Sequence, residues 1–155
     1  MMNNNPLNVN EETNMKITQV AIAVIYYQDL YLLGYRSADQ HQGNKYEFVG
    51  GKIEADETAT QSLIREVAEE VGLDVSGCQI ESLGIISHEY ATKTVKLHVF
   101  HVEVDDVQYR QFSNITVGRE NQPMRWVSKA GLIAGDYPLP DANKQILQWL
   151  AKLTS

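Results

Sequence analysis

One cysteine, Cys78, is all that 155 residues carry, so an intramolecular disulfide and any metal site built from several thiolates are excluded. That scarcity fits a reducing cytoplasm. Positive charge is also short: 13 Lys and Arg face 20 Asp and Glu, a formal net charge of −7, and the pI is near 5.0. Such a balance argues against a general grip on a nucleic acid polymer, whose backbone is normally met by a basic surface. Phosphate groups would have to be met locally, by a metal ion or a few well-placed cations. Apolar runs long enough to span a bilayer are absent. The Asn-rich stretch from Met1 to Asn14 has neither the basic start nor the apolar run of a signal peptide. Nothing points to a membrane or to an obligate protein partner, and no internal repeat is visible.

What is present is a chain with 43% hydrophobic residues, enough for one core of ordinary size. We expect a flexible tail over residues 1–15, with Met15 fitting as an original start, and one domain over 16–155. Ile17 to Tyr27 and Tyr31 to Tyr35 read as a hairpin broken at Gln28-Asp29, and Tyr46 to Val49 as a short strand ended by Gly50-Gly51. Thr58 with Gln61 forms a capping-box signature and Gly72 a C-terminal stop, so a helix is expected from Ala59 to Val71 with Leu63, Ile64, Val67 and Val71 inward. Strands are expected at Leu83 to His88, Val95 to Val104 and Met124 to Val127, with Asp105 to Gln122 a long polar loop. Asn143 to Leu153 has the period of a closing amphipathic helix.

Chemistry concentrates in GKIEADETATQSLIREVAEEVGL, residues 51–73. At about 100° per residue, Glu66, Glu69 and Glu70 share one helix face beside the inward Leu63/Val67 stripe. Three converging carboxylates repel one another unless a cation neutralises them, and oxygen-only donors suit Mg²⁺ or Mn²⁺ rather than zinc. Mg²⁺ suits phosphate chemistry, where it offsets charge and lowers the pKa of an attacking water. Arg65 can clamp carboxylates in a planar fork and fix the loop bearing Glu57 against the helix. Gly50 and Gly51 permit close backbone approach, and a free carbonyl there would add a ligand. Taken alone, Glu pairs on a helix usually mark a solvated face.

The whole string reverses that reading. It is similar to the Nudix box with no position missing: Gly51, Glu57, Arg65, Glu66, Glu69, Glu70 and Gly72 all stand in place, a chance agreement on the order of 10⁻⁹ at one start point. The flanking segments YRSADQHQGNKYEFVGGKIE, HEYATKTVKLHVFHVE, GRENQPMRWVSKAGL and YPLPDANKQIL resemble the MutT-type 8-oxo-dGTP diphosphatases within that family, so the resemblance covers Ile17 to Leu150. It implies an α+β fold, a single α/β/α sandwich with a mixed sheet between helices. It implies hydrolysis of 8-oxo-dGTP to the monophosphate and pyrophosphate, which cleanses the nucleotide pool and prevents mutation. By position it implies metal ligation by the Gly50 carbonyl, Glu66, Glu69, Glu70 and Glu120. Arg65 stands with these in the catalytic set, and Glu66 or Glu120 is the general base. Arg36 and His41 match nucleotide contacts, and Glu47, Phe48, Val49, Gly50 and Asn143 the segment around the base. One Asn143 amide would donate to O6 and accept from the N7 hydrogen that the 8-oxo form carries.

The sequence departs from that pattern at Val49, which replaces a usual proline, and in two longer segments, Asp105 to Gly118 and YPLPDAN. A different nucleoside diphosphate derivative such as CTP, dCTP, ADP-ribose or a dinucleoside polyphosphate is the alternative substrate. A non-catalytic ligand sensor would show eroded carboxylates, and none are eroded. His98 and His101 differ by an odd number along a strand and so face opposite sides. His88 and Cys78 lack partners expected of catalysts, and Trp126 and Trp149 read as packing residues.

Overall fold

The computed structural model describes residues 16–36, 45–113 and 122–153. Its centre is β1 (Lys16–Tyr27), whose middle, Ala21 to Ile25, is buried on both faces. A continuous apolar run of this kind marks a strand covered by helices above and below. β1 pairs in parallel with β6 (Lys93–Glu103) over its length, and β6 pairs antiparallel with β5 (Gln79–Glu89).

On its other side β1 changes partner. It meets β2 (Leu30–Arg36) only at Tyr26 with Tyr31 and at Tyr27 with Leu30, and further back pairs with β4 (Val49–Lys52) from Val20 to Ala23. β2 meanwhile pairs with β3 (Lys45–Glu47) and with β7 (Met124–Ser128). The expected single strand at Tyr46 to Val49 is therefore two, hinged at Phe48, where the chain passes from pairing with β2 to pairing with β1. Gly50 and Gly51 lie inside β4 instead of ending a strand. A Cβ on Gly50 would collide with the Ala21 carbonyl, so only glycine fits that close pairing. The splay between β1 and β2, bridged by β3 and β4, opens the cleft described below.

Helix α1 (Ala59–Glu70) starts at the expected capping box, Thr58 with Gln61. It stops at Gly72, whose φ is 85° and whose N–H closes on the Val67 and Ala68 carbonyls. Leu63, Val67 and Val71 pack on Ala21, Ala23, Ile25 and Val49 on one face of the sheet. The opposite face is covered by Leu132 from α3 (Lys129–Ala134) and by Ile146 and Leu150 from α4 (Lys144–Lys152). The result is the expected α/β/α sandwich around a mixed sheet.

Three further expectations change. Part of the expected polar loop is α2 (Asp106–Ser113), which docks Phe112 into the α1-side core. α3 was not expected; Ser128 caps it by accepting from Gly131 N–H, and Gly135 at φ 85° ends it. The final helix begins later, after a 3₁₀ turn at Asp141–Asn143. Trp149 packs over Gly84 and Trp126 edge-on to Tyr109, in keeping with packing roles. Among the described residues no helix is long and apolar enough to cross a membrane.

Candidate active site

Arg65 organises the motif. Its Nε and Nη2 donate to the two Glu57 oxygens at 2.6 and 3.0 Å, a two-pronged fork, and Nη2 also donates to the Lys52 carbonyl at 3.2 Å. Ser62, fully buried on the same helix, donates to that carbonyl too. Glu57 in turn accepts from Glu54 N–H, so residues 52–57 are folded onto α1 by one carboxylate and one carbonyl. The guanidinium pulls the Glu57 carboxyl down to about 2, and Glu57 raises Arg65 above its ordinary range. The planar fork expected between Arg65 and the loop bearing Glu57 is present in the geometry.

The three glutamates on α1 divide. Glu66, with its side chain 15% exposed, lies under Gly51, where a Cβ would overlap its carboxylate. Glu69 is 54% exposed, and it and Glu66 both accept from Arg65 Nη1, at 3.3 and 3.1 Å. Glu70 lines the cleft. The donors suit a hard divalent cation in kind, since all are carboxylate oxygens, and the bare Gly51 lets the Glu66 carboxylate lie directly against the backbone of β4. In this arrangement Arg65 is the cation that Glu66 and Glu69 share, and among the described residues no three acidic, His or Cys side chains gather on one point.

The cleft, of about 530 Å³, runs from Glu70, Lys52, Gly51 and Gly50 past Val20 and Ile22 to Arg36, Glu47, Phe48 and Asn143. Phe48 and Asn143 are 5% and 7% exposed. Asn143 precedes α4, yet its amide does not cap the helix; buried Leu139 holds the preceding segment on the core. Arg36 Nε donates to Glu47 Oε1 at 2.7 Å. Val49 was expected beside the base, but its side chain lies in the α1-side core, 2% exposed. The alternation of a strand sends it away from the cleft that its neighbours line. His41 and Glu120 lie outside the described residues. Gln122 was missed: its Nε2 donates to Glu47 Oε2 at 2.7 Å, and the only local signal is a Gln-Pro step before β7.

The remaining candidates stay apart from the cleft. His98 meets Gln19 at 2.6 Å, and His101 meets Tyr31 across the sheet at 3.1 Å. Cys78 donates to Gln108, and burial raises its thiol pKa.

Fold and site together define a Nudix-type sandwich, with its signature helix beside a cleft of nucleotide size. The NUDIX domain family matches residues 20–149, and the chain belongs to that family. It is 33% identical over 140 residues to the 8-oxo-dGTP diphosphatase of Escherichia coli (strain K12), covering 90% of this chain and 100% of that protein. It is 31% identical over 136 residues to the CTP pyrophosphohydrolase of the same organism, covering 86% and 91%. Among solved structures, the E. coli ORF135 protein superposes with a TM-score of 0.70 at 30% identity, over 95% of this chain and 94% of that one. A MutT structure, from a study of the Aliivibrio salmonicida and Vibrio cholerae proteins, gives 0.67 at 25%, over 88% and 98%. Members of this family generally need a divalent metal.

Proposed function

We propose that this Nudix hydrolase is a metal-dependent nucleoside triphosphate diphosphatase that cleaves 8-oxo-dGTP to 8-oxo-dGMP and pyrophosphate, cleansing the cytoplasmic nucleotide pool. The observation that carries this reading is a cleft lined both by Glu70 of the carboxylate helix and by the buried Phe48 and Asn143. Apolar walls with a few placed polar groups are what a base needs for orientation.

Mg²⁺, or Mn²⁺ in its place, is the cofactor we assign to the Gly50 carbonyl, Glu66, Glu69, Glu70 and Glu120; when bound it supplies positive charge for the phosphate oxygens and acidifies water. Arg65 keeps residues 52–57 and the glutamate face in register. Arg36 is the phosphate cation and Phe48 the apolar support for the ring, with His41 a further nucleotide contact. Glu66 or Glu120 takes the proton from water. Asn143 reads the oxidised base, donating to O6 and accepting from N7–H. Ordinary dGTP would leave its carbonyl facing a lone pair, and a stranded buried polar group can cost up to roughly 10⁴-fold in discrimination.

The similarity to a CTP pyrophosphohydrolase favours a second reading, in which the same cleft takes a cytosine nucleotide. A product assay over 8-oxo-dGTP, dGTP, CTP, dCTP and ADP-ribose, with and without EDTA, tests both. We expect activity to vanish with EDTA, 8-oxo-dGTP to be preferred, and Asn143→Ala to lose that preference while keeping slow turnover of dGTP. Preference for CTP establishes the second reading, and an Asn143→Ala protein that still favours the oxidised base removes Asn143 as the reader.

A further inference from the structure

Glu47 is held from two sides. Oε1 takes the Arg36 Nε–H at 2.7 Å, and Oε2 takes the Gln122 amide at 2.7 Å. The donors come from different segments, Arg36 from the end of β2 and Gln122 from the approach to β7. The neighbouring Pro123 carbonyl accepts Tyr35 N–H at 2.9 Å, which fixes the two segments side by side. Gly34 completes the arrangement: a Cβ there would lie 2.8 Å from the Gln122 Cδ and Nε2 atoms, so the carboxamide rests directly on bare backbone. Arg36, Glu47 and Gln122 all line the cleft.

We propose that Gln122 is a positioning residue for substrate binding, acting through Glu47 on Arg36. This rests on the nucleotide reading of the cleft. Gln122 draws Oε2 toward the approach to β7, and Glu47 meets Arg36 Nε through Oε1, which fixes the direction from which this charge-assisted hydrogen bond reaches the guanidinium. Without Gln122 the carboxylate is free to rotate, and the Arg36 guanidinium bonded to it turns out of its binding orientation. The glutamates of α1 are untouched by this change, so affinity suffers and the chemical step does not.

The test is steady-state kinetics of Gln122→Ala on the nucleotide that wild type hydrolyses fastest, with thermal unfolding alongside. One charge-assisted hydrogen bond corresponds to about a tenfold rise in KM, with kcat within about twofold of wild type. Gln122→Met keeps the side-chain length without the donor and serves if the alanine variant unfolds. Gly34→Ala, which pushes the carboxamide off its seat, should raise KM in the same direction. In a double-mutant cycle, Glu47→Gln with Gln122→Ala should cost less than the sum of the two single changes. Unchanged KM, a fall confined to kcat, or strict additivity overturns the inference about Gln122 while leaving the nucleotide reading intact. A wild-type protein idle on every nucleotide overturns that reading and this inference with it.

Discussion

At the scale of single residues, the site depends on atoms left out as much as on charges put in. Gly51 lacks the Cβ that would strike Glu66, and Gly34 the one that would strike Gln122. The motif made the first legible, because Gly51 and Glu66 are specified together; nothing marked the second, since Gln122 stands 88 residues further along the chain than Gly34. Arg65 shows how far side-chain chemistry can be read in advance. A planar fork within reach of Glu57 was expected and is there. The sharing of Nη1 by Glu66 and Glu69 was not, because sequence spacing gives a helix face but not the rotamers on it. Arg65→Lys tests the difference between a fork and a point charge. The variant should unfold about 3 °C earlier and lose about tenfold in kcat through loosened geometry, with KM near that of wild type. An isolated rise in KM at unchanged stability would show that Arg65 holds substrate instead.

Secondary-structure elements were legible where period and cap agreed, as in α1, and obscure where a short element is fixed by tertiary partners. α2 was hidden in a polar stretch, yet its start carries a reciprocal cap. Asp105 accepts from Gln108 N–H at 2.8 Å, while Gln108 Oε1 accepts from Asp105 N–H at 3.1 Å. The Gln108 amide also donates to the Asp74 carbonyl at 2.8 Å, tying α2 to the segment that follows α1. Asp with Gln three residues on is a helix signal weaker than Thr58 with Gln61 only because no long apolar period follows it. Similarly, the break at Phe48 is a matter of which strand lies alongside, information absent from residues 46–49 themselves. Gln108→Ala should lower stability by about 1–2 kcal/mol, moving the melting temperature down by about 3–6 °C without altering kcat. A melting curve superimposable on wild type would show that α2 is held without the Gln108 side chain, by Phe112, Tyr109 and the Tyr27–Asp106 hydrogen bond.

For the molecule as a whole, two cores on either side of one sheet carry stability, and the α3/α4-side core closes over a titratable group that the chemistry does not use. His101 is 8% exposed. It stacks on Tyr26 at 3.9 Å between ring centroids and shares a hydrogen bond with Tyr31. Glu81 and Lys129 face it with opposite effects, Glu81 raising its pKa and Lys129 lowering it, but burial dominates and brings the imidazole from 6.5 down to about 4. The folded state therefore prefers neutral His101, while the unfolded chain takes up the proton near 6.5. The resulting stability is complete above that value and is lost as pH falls toward 4, by about 3 kcal/mol over the window. Carboxylates held low, such as Asp74 and Asp141, give up their contribution further down the scale and do so equally in a His101 variant. Urea unfolding of wild type and His101→Gln at several pH values between about 7 and 4 separates the two sources. The glutamine cannot take up a proton, so the wild-type curve should fall more steeply, the gap opening below pH 6.5. Parallel curves would mean that His101 charges as readily in the folded protein as in the unfolded chain, with the Tyr26–His101–Tyr31 stack open enough for water to reach the ring.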